Sequence, residues 1–345
     1  LDVTDLVFVD PVGTGFSRPL GGHEGAEFWG LDEDAASVAE FIRQWLSDNG
    51  RWSSPKLIAG ESFGTVRAAA VAHLLEKRLG IRLNGVVLIA QALDYQGSTP
   101  VDDNLVAHVT YLPTMAATAA YHGKVAPPDG DLEAFLRQAR DFAAEELAPA
   151  LIKGSALDAS ERARVRDRLA WFTGLDPEYV ERADLRVTAT RFRKELLRDQ
   201  GLSVGRADGR YTRDDLDDTA DSPDGDAASD GYKSAFVAAV NDYIRRDLGV
   251  TLDRPYVHSA EVWKEWSWHA ADPEMHREPS YVNVARRLAD ALRRNADLEV
   301  LVASGLYDFA TPFYDAEYTL GRHAVPKDRV EYHVYEAGHM MYIHE

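Results

Sequence analysis

Short apolar runs alternate with helically spaced apolar positions through the first part of the chain. Residues 6–9 (Leu-Val-Phe-Val) form a compact apolar run ended by Asp10-Pro11 and the turn Gly13-Thr14-Gly15, which predicts a strand. From Asp32 the spacing becomes helical: Val38, Phe41, Ile42, Trp45 and Leu46 share one face, and Gly50 stands where a C-cap belongs. Residues 56–59 predict a second strand, and 65–79 a helix stopped by Gly80. Residues 85–90 (Gly-Val-Val-Leu-Ile-Ala) are apolar on both faces, as in a buried parallel sheet. This alternation predicts an α/β sheet with right-handed crossovers.

From Tyr111 to Leu248 the pattern is helical, with almost no strand. Leu132, Phe135, Leu136, Phe142, Leu147 and Leu151 form one stripe, and Val165, Leu169 and Phe172 a second. Phe192, Leu196 and Leu197 suggest a third, and Phe236, Val240, Tyr243, Ile244 and Leu248 a fourth. Residues 208–231, rich in Asp, Gly and Ser, predict an exposed loop. Calcium is a poor fit, because Pro223, Gly225 and Tyr232 fall where an EF-hand counted from Asp221 needs oxygen ligands. The α/β pattern then returns. Ser280 is placed to cap a helix running to about Asn295, and strands are expected at 298–303 and 330–335. The expected organisation is therefore 1–92 as the first part of a core, 93–279 as an inserted helical cap, and 280–345 as the second part of the core.

Composition narrows the function classes. At 345 residues, 45% hydrophobic and 28% charged, the chain has the proportions of a globular protein with a large core. No run approaches the 18 or so apolar residues of a membrane helix. The absence of Cys excludes disulfides, thiolate metal sites and cysteine nucleophiles. A net charge of −19, from 38 basic and 57 acidic residues, makes nucleic acid and anionic membranes poor partners. No metal and no cofactor is expected. The chain starts at Leu1, almost directly on the first predicted strand, so outer strands of the sheet are expected to lie upstream.

The pentapeptide Gly60-Glu61-Ser62-Phe63-Gly64 carries the chemistry. A G-x-S-x-G between a predicted strand and a predicted helix is the setting in which a sharp turn presents a serine nucleophile. The plainer alternative is a serine that caps the following helix. A serine hydroxyl needs a general base, and the resulting imidazolium needs an orienting carboxylate. In such a sheet the chain order is Ser, acid, His, each just after a strand. Asp308 and His339 hold those positions. His73 falls within a helix, and His108, His122, His258, His269 and His276 fall in the insertion; His344 and Asp315 remain as rivals for base and acid.

Four segments together resemble the serine carboxypeptidases of peptidase family S10, and most closely their cysteine-poor bacterial branch. They are Phe-Val-Asp-Pro-Val-Gly-Thr-Gly-Phe-Ser at 8–17, the pentapeptide at 60–64, Tyr-Leu-Pro-Thr-Met-Ala-Ala-Thr at 111–118, and Glu-Ala-Gly-His-Met-Met at 336–341. The resemblance implies an α/β-hydrolase fold with a helical cap, acting on peptide or protein C-termini. By motif position it implies Ser62 as nucleophile, Asp308 as orienting acid and His339 as general base. The backbone amide of Phe63 would donate to the oxyanion. Glu61 would join a hydrogen-bond network around the substrate's terminal carboxylate, which requires a shared proton and so favours acidic pH. The family's upstream Asn-Gly-Gly-Pro-Gly segment, source of a second oxyanion amide, does not occur in this chain. The chain also has Asp10 before Pro11 where plant and fungal members have Gln. An esterase or acyltransferase on the same scaffold is the alternative enzyme reading, and an inert binding protein the alternative outside enzymes.

Overall fold

A computed structural model describes residues 3–268 and 281–343. The first regular elements are α1 (Leu31–Asp48), β1 (Leu57–Glu61), α2 (Phe63–Leu74) and β2 (Gly85–Ile89). Asp32, Glu33 and Asp34 occupy the first turn of α1, where negative charge complements the helix dipole. Beyond α2 a π turn, Leu75–Leu79, runs to Gly80, whose left-handed φ of 62° ends the segment. A helical stretch follows: α3 (Leu105–Tyr121), α4 (Leu132–Phe142), α5 (Ala148–Lys153), α6 (Ala159–Thr173), α7 (Pro177–Arg182) and α8 (Ala189–Glu195). A small antiparallel pair, β3 (Leu202–Val204) and β4 (Thr212–Asp214), leads to α9 (Ala227–Arg246). The chain returns through α10 (Ala285–Arg294), β5 (Glu299–Gly305), α11 (Phe313–Arg322) and β6 (Val330–Tyr335).

The main sheet runs in the order β1-β2-β5-β6 with every pairing parallel, and Ile58, Val86, Val300 and Val330 lie in one row. With helices packed on it, this is an α/β-hydrolase-type core. All four strands end at the same edge, so the turns after β1, β5 and β6 open onto one face. Ligands of open α/β sheets bind at that edge.

Two hydrophobic cores hold these parts. In the first, Ala68–Ala72 of α2 are almost fully buried with Val86, Leu88, Val300, Val302 and Leu288. The small side chains of α2 let it lie close against the strands. The second core, built from Phe135, Phe142, Phe172 and Phe192, takes in Tyr307 and Phe309 from the segment after β5. Phe309 stacks 5.6 Å from Phe192 and 6.5 Å from Tyr111. The turn after β5 is thereby anchored in the helical block. Among the described residues no helix is long and apolar enough to cross a membrane.

Three expectations need correction. Residues 6–9 form no strand; Leu6 and Phe8 are exposed, and no described strand lies beside them to complete a hydrogen-bonded ladder. The acidic stretch 208–231 is not a solvated loop throughout. It contains β4, the start of α9 and the buried Asp208 and Asp215. Asp215 accepts a hydrogen bond from the equally buried Lys194 at 2.7 Å, an arrangement that offsets the cost of burying either charge. The helix expected from Ser280 begins at Ala285, and Ser280 itself lies outside the described residues. The fourth apolar stripe is helical but largely unburied: Phe236 and Tyr243 of α9 are exposed. Tyr232, Phe236 and Val240 line one side of a cleft of about 400 Å³, with His258 and Ser259 opposite.

Candidate active site

Ser62 sits between the last residue of β1 and the first of α2, with φ 55° and ψ −123°. A non-glycine residue in such a conformation stores strain that the surroundings must hold. Gly60 is what permits the turn, because a Cβ there would collide with the carbonyl oxygen of Gly64. The Ser62 amide donates to Ile89 O at 2.9 Å, and its carbonyl accepts from the amide and hydroxyl of Thr65. The Thr65 hydroxyl in turn accepts from the amide of Ala92 at 2.8 Å, tying the elbow to the end of β2. Although Ser62 occupies the cap position, its hydroxyl accepts no bond from the helix. The capping alternative is therefore unfilled.

Phe63, as the first residue of α2, has an N–H with no intrahelical acceptor. Its ring is fixed edge-on by Trp266, 5.1 Å away, and by the Arg67 guanidinium at 5.3 Å. Arg67 also bonds the buried Asp34 at 2.6 Å, and Trp29 donates to Val12 O at 3.0 Å. Both side chains have packing partners. The glycine turn near them is held through Asp10, which accepts from Phe16 N at 2.9 Å and from the Tyr256 hydroxyl at 3.0 Å.

Asp308 follows β5 and is fully buried. One carboxylate oxygen accepts from the amides of Ala310 and Thr311, the other from the Thr311 hydroxyl and from His339 Nδ1, both at 2.7 Å. A carboxylate acceptor places the proton on Nδ1 and leaves Nε2 with its lone pair. Burial alone pushes the His339 pKa down. The charge and hydrogen bond of Asp308, with the charge of Glu61 beyond, outweigh it and make the imidazole more basic than usual. The structure thus brings Asp308 and His339 together. Ser62 stands at the same edge of the sheet, and among the described residues its hydroxyl makes no hydrogen bond to His339. Such contacts often close only with substrate bound.

The rival acid, Asp315, lies inside α11 and bonds Thr319 rather than His339. His344 lies outside the described residues, as do His269 and His276. His73 pairs with Asp290, while His108 and His122 bond the carbonyls of Asp102 and Gly209.

Glu61 ends β1, and its Oε2 accepts from the Tyr342 hydroxyl at 2.6 Å. Burial first, and then the Glu61 bond and charge, push the Tyr342 pKa up, so this phenol stays a donor. Tyr342 was not singled out by the sequence. Its only signal is nearness to His339 in the chain, whereas the contact spans 281 positions. Arg206 and Ala207 were also missed. Ala207 O accepts from the His339 amide at 2.6 Å, so the residue just before the supposed solvated loop is pressed against the candidate base.

The serine carboxypeptidase family model (peptidase S10) matches residues 1–341. No curated protein sequence matches. Among solved structures the chain is similar to VinJ, at 16% identity over 95% of this chain and 72% of that one, with a TM-score of 0.32.

Proposed function

The chain belongs to the serine carboxypeptidase family, and we propose that it removes C-terminal residues from peptides through an acyl-enzyme on Ser62. The observation that carries this reading is the 2.7 Å bond between His339 Nδ1 and the buried Asp308, on the sheet edge that also bears the strained Ser62.

In the proposed reaction His339 Nε2 accepts the hydroxyl proton as Ser62 Oγ attacks the last peptide carbonyl. The negative charge that develops on the carbonyl oxygen faces the Phe63 amide at the start of α2, where the helix dipole adds to it. Asp308 stabilises the imidazolium without taking its proton. His339 then protonates the departing amine, and the C–N bond breaks to leave an ester on Ser62. Water, deprotonated by the same imidazole, hydrolyses that ester and restores the serine. Glu61, with the Tyr342 hydroxyl beside it, meets the substrate's terminal carboxylate by sharing a proton, which confines the bond to acidic conditions. Residues 93–279 serve as the cap over this edge, between the core segments 1–92 and 280–345; the bonds from 206–209 to the turns after β5 and β6 support that role.

Two measurements test the reading. A fluorophosphonate probe should label the protein and fail to label Ser62→Ala. Peptides with a free C-terminus should be cleaved and their C-terminal amides spared; equal rates on both would favour an esterase-like enzyme that has no use for Glu61.

A further inference from the structure

We infer that Arg206 is a specificity-determining residue that receives an acidic side chain of the substrate next to the cleaved bond. This rests on the carboxypeptidase reading above and adds a preference to it.

The segment around Arg206 is stitched to the catalytic turns by main-chain bonds. The amide of Phe309, beside Asp308, donates to Arg206 O at 2.9 Å. The His339 amide donates to Ala207 O, and the Gly209 amide donates to Tyr307 O at 2.9 Å. Gly338 makes the approach possible, since a Cβ there would collide with the Ala207 carbonyl. Arg206 is therefore held by its backbone against both candidate catalytic loops, on a mount that does not depend on its side chain.

The side chain is exposed, and among the described residues it has no ion-pair or hydrogen-bond partner. Its neighbours show why. Asp226 is occupied by the amides of Arg206, Ala207 and Ala228 and by the Ser229 hydroxyl. Asp208 is taken by Arg210, whose second nitrogen bonds Glu336 O. Arg193 is buried and spent on the carbonyls of Val204 and Gly225. The Arg206 charge is felt at His339 and at Tyr95, and also at the buried Tyr111 and Arg193, so the guanidinium lies within electrostatic reach of the candidate base. In a chain of net charge −19, an exposed guanidinium without a partner, mounted beside both candidate catalytic turns, suits an anion. A guanidinium binds a carboxylate through two parallel N–H bonds. The terminal carboxylate is already assigned to Glu61 and Tyr342, which leaves a Glu or Asp side chain of the peptide.

The test uses peptides carrying Glu, Gln or Lys on either side of the cleaved bond, each with a free and an amidated C-terminus. The wild-type enzyme should favour Glu over Gln by about tenfold in kcat/KM at one of the two positions, mostly through KM. The position that responds identifies the acyl or the leaving side. In Arg206→Gln this ratio should fall to near one, in Arg206→Lys it should recover in part, and Arg206→Glu should prefer Lys. Equal rates for Glu and Gln at both positions, or a preference that survives Arg206→Gln, would overturn the inference. A loss in Arg206→Gln shared by every free-acid peptide would overturn it too, by assigning Arg206 to the terminal carboxylate. No cleavage of any peptide by the wild-type enzyme would remove the carboxypeptidase reading itself.

Discussion

Asp308 and Asp315 lie in the turn after β5 and in the helix that follows it, and both are completely buried. Their surroundings differ in one respect that decides their chemistry. Asp308 accepts four hydrogen bonds, one of them from His339. Asp315 accepts a single bond at 3.3 Å from Thr319, and its Oδ2 has no partner among the described residues. Burial, reinforced by the nearby charge of Asp94, pushes the Asp315 pKa well above the usual carboxylate range. Asp94 itself is held by His323 at 2.8 Å and Asn283 at 2.7 Å. Depth alone therefore does not make an orienting acid. Donors do, and they must include the imidazole.

Substituting the two residues in turn breaks the comparison most directly. Asp308→Asn should lower kcat by about 10⁴, because the amide favours the wrong imidazole tautomer. Asp315→Asn should leave kcat within a few-fold. Comparable losses of kcat in both would remove the distinction. The second effect is on stability. Asp315 keeps in the folded protein a proton that the unfolded chain releases above about pH 4. The native state then binds more protons, so stability declines as pH rises from there through the raised native value. Asp315→Asn should flatten this decline, read as the melting temperature between pH 4.5 and 8. A slope identical to wild type would show that Asp315 is not the group responsible.

These two acids also mark how far sequence reading reaches. Asp308 and His339 were legible because each follows a strand, and strand β6 was expected at the residues where it lies, 330–335. Local pattern sufficed for β1, α2 and β2 as well, within a few residues. Residues 6–9 have strand chemistry, but a strand exists only with a partner, and pattern does not supply one. Asp208 and Asp215 read as solvated because acidic stretches usually are. Their burial depends on Arg210, Lys194 and the packing of segments distant in the chain. Tyr342 and Arg206 escaped for the same reason: the roles proposed for them rest on contacts with Glu61 and with the turns after β5 and β6, which no spacing rule encodes.

The smallest expected effects concern the charges around His339 and sharpen what its neighbours contribute. Since the Glu61 charge adds to that of Asp308 in raising the His339 pKa, Glu61→Gln should move the acidic limb of the kcat/KM profile to lower pH. The same substitution should remove the decline of activity toward alkaline pH, because an amide binds the terminal carboxylate without a shared proton. Tyr342→Phe withdraws the 2.6 Å bond but leaves the Glu61 charge in place. It should raise KM for free-acid peptides by about tenfold while the acidic limb stays where it was. If both variants shifted that limb equally, the hydrogen bond rather than the charge would govern His339. Glu61 would then act on the base through Tyr342 instead of across the site.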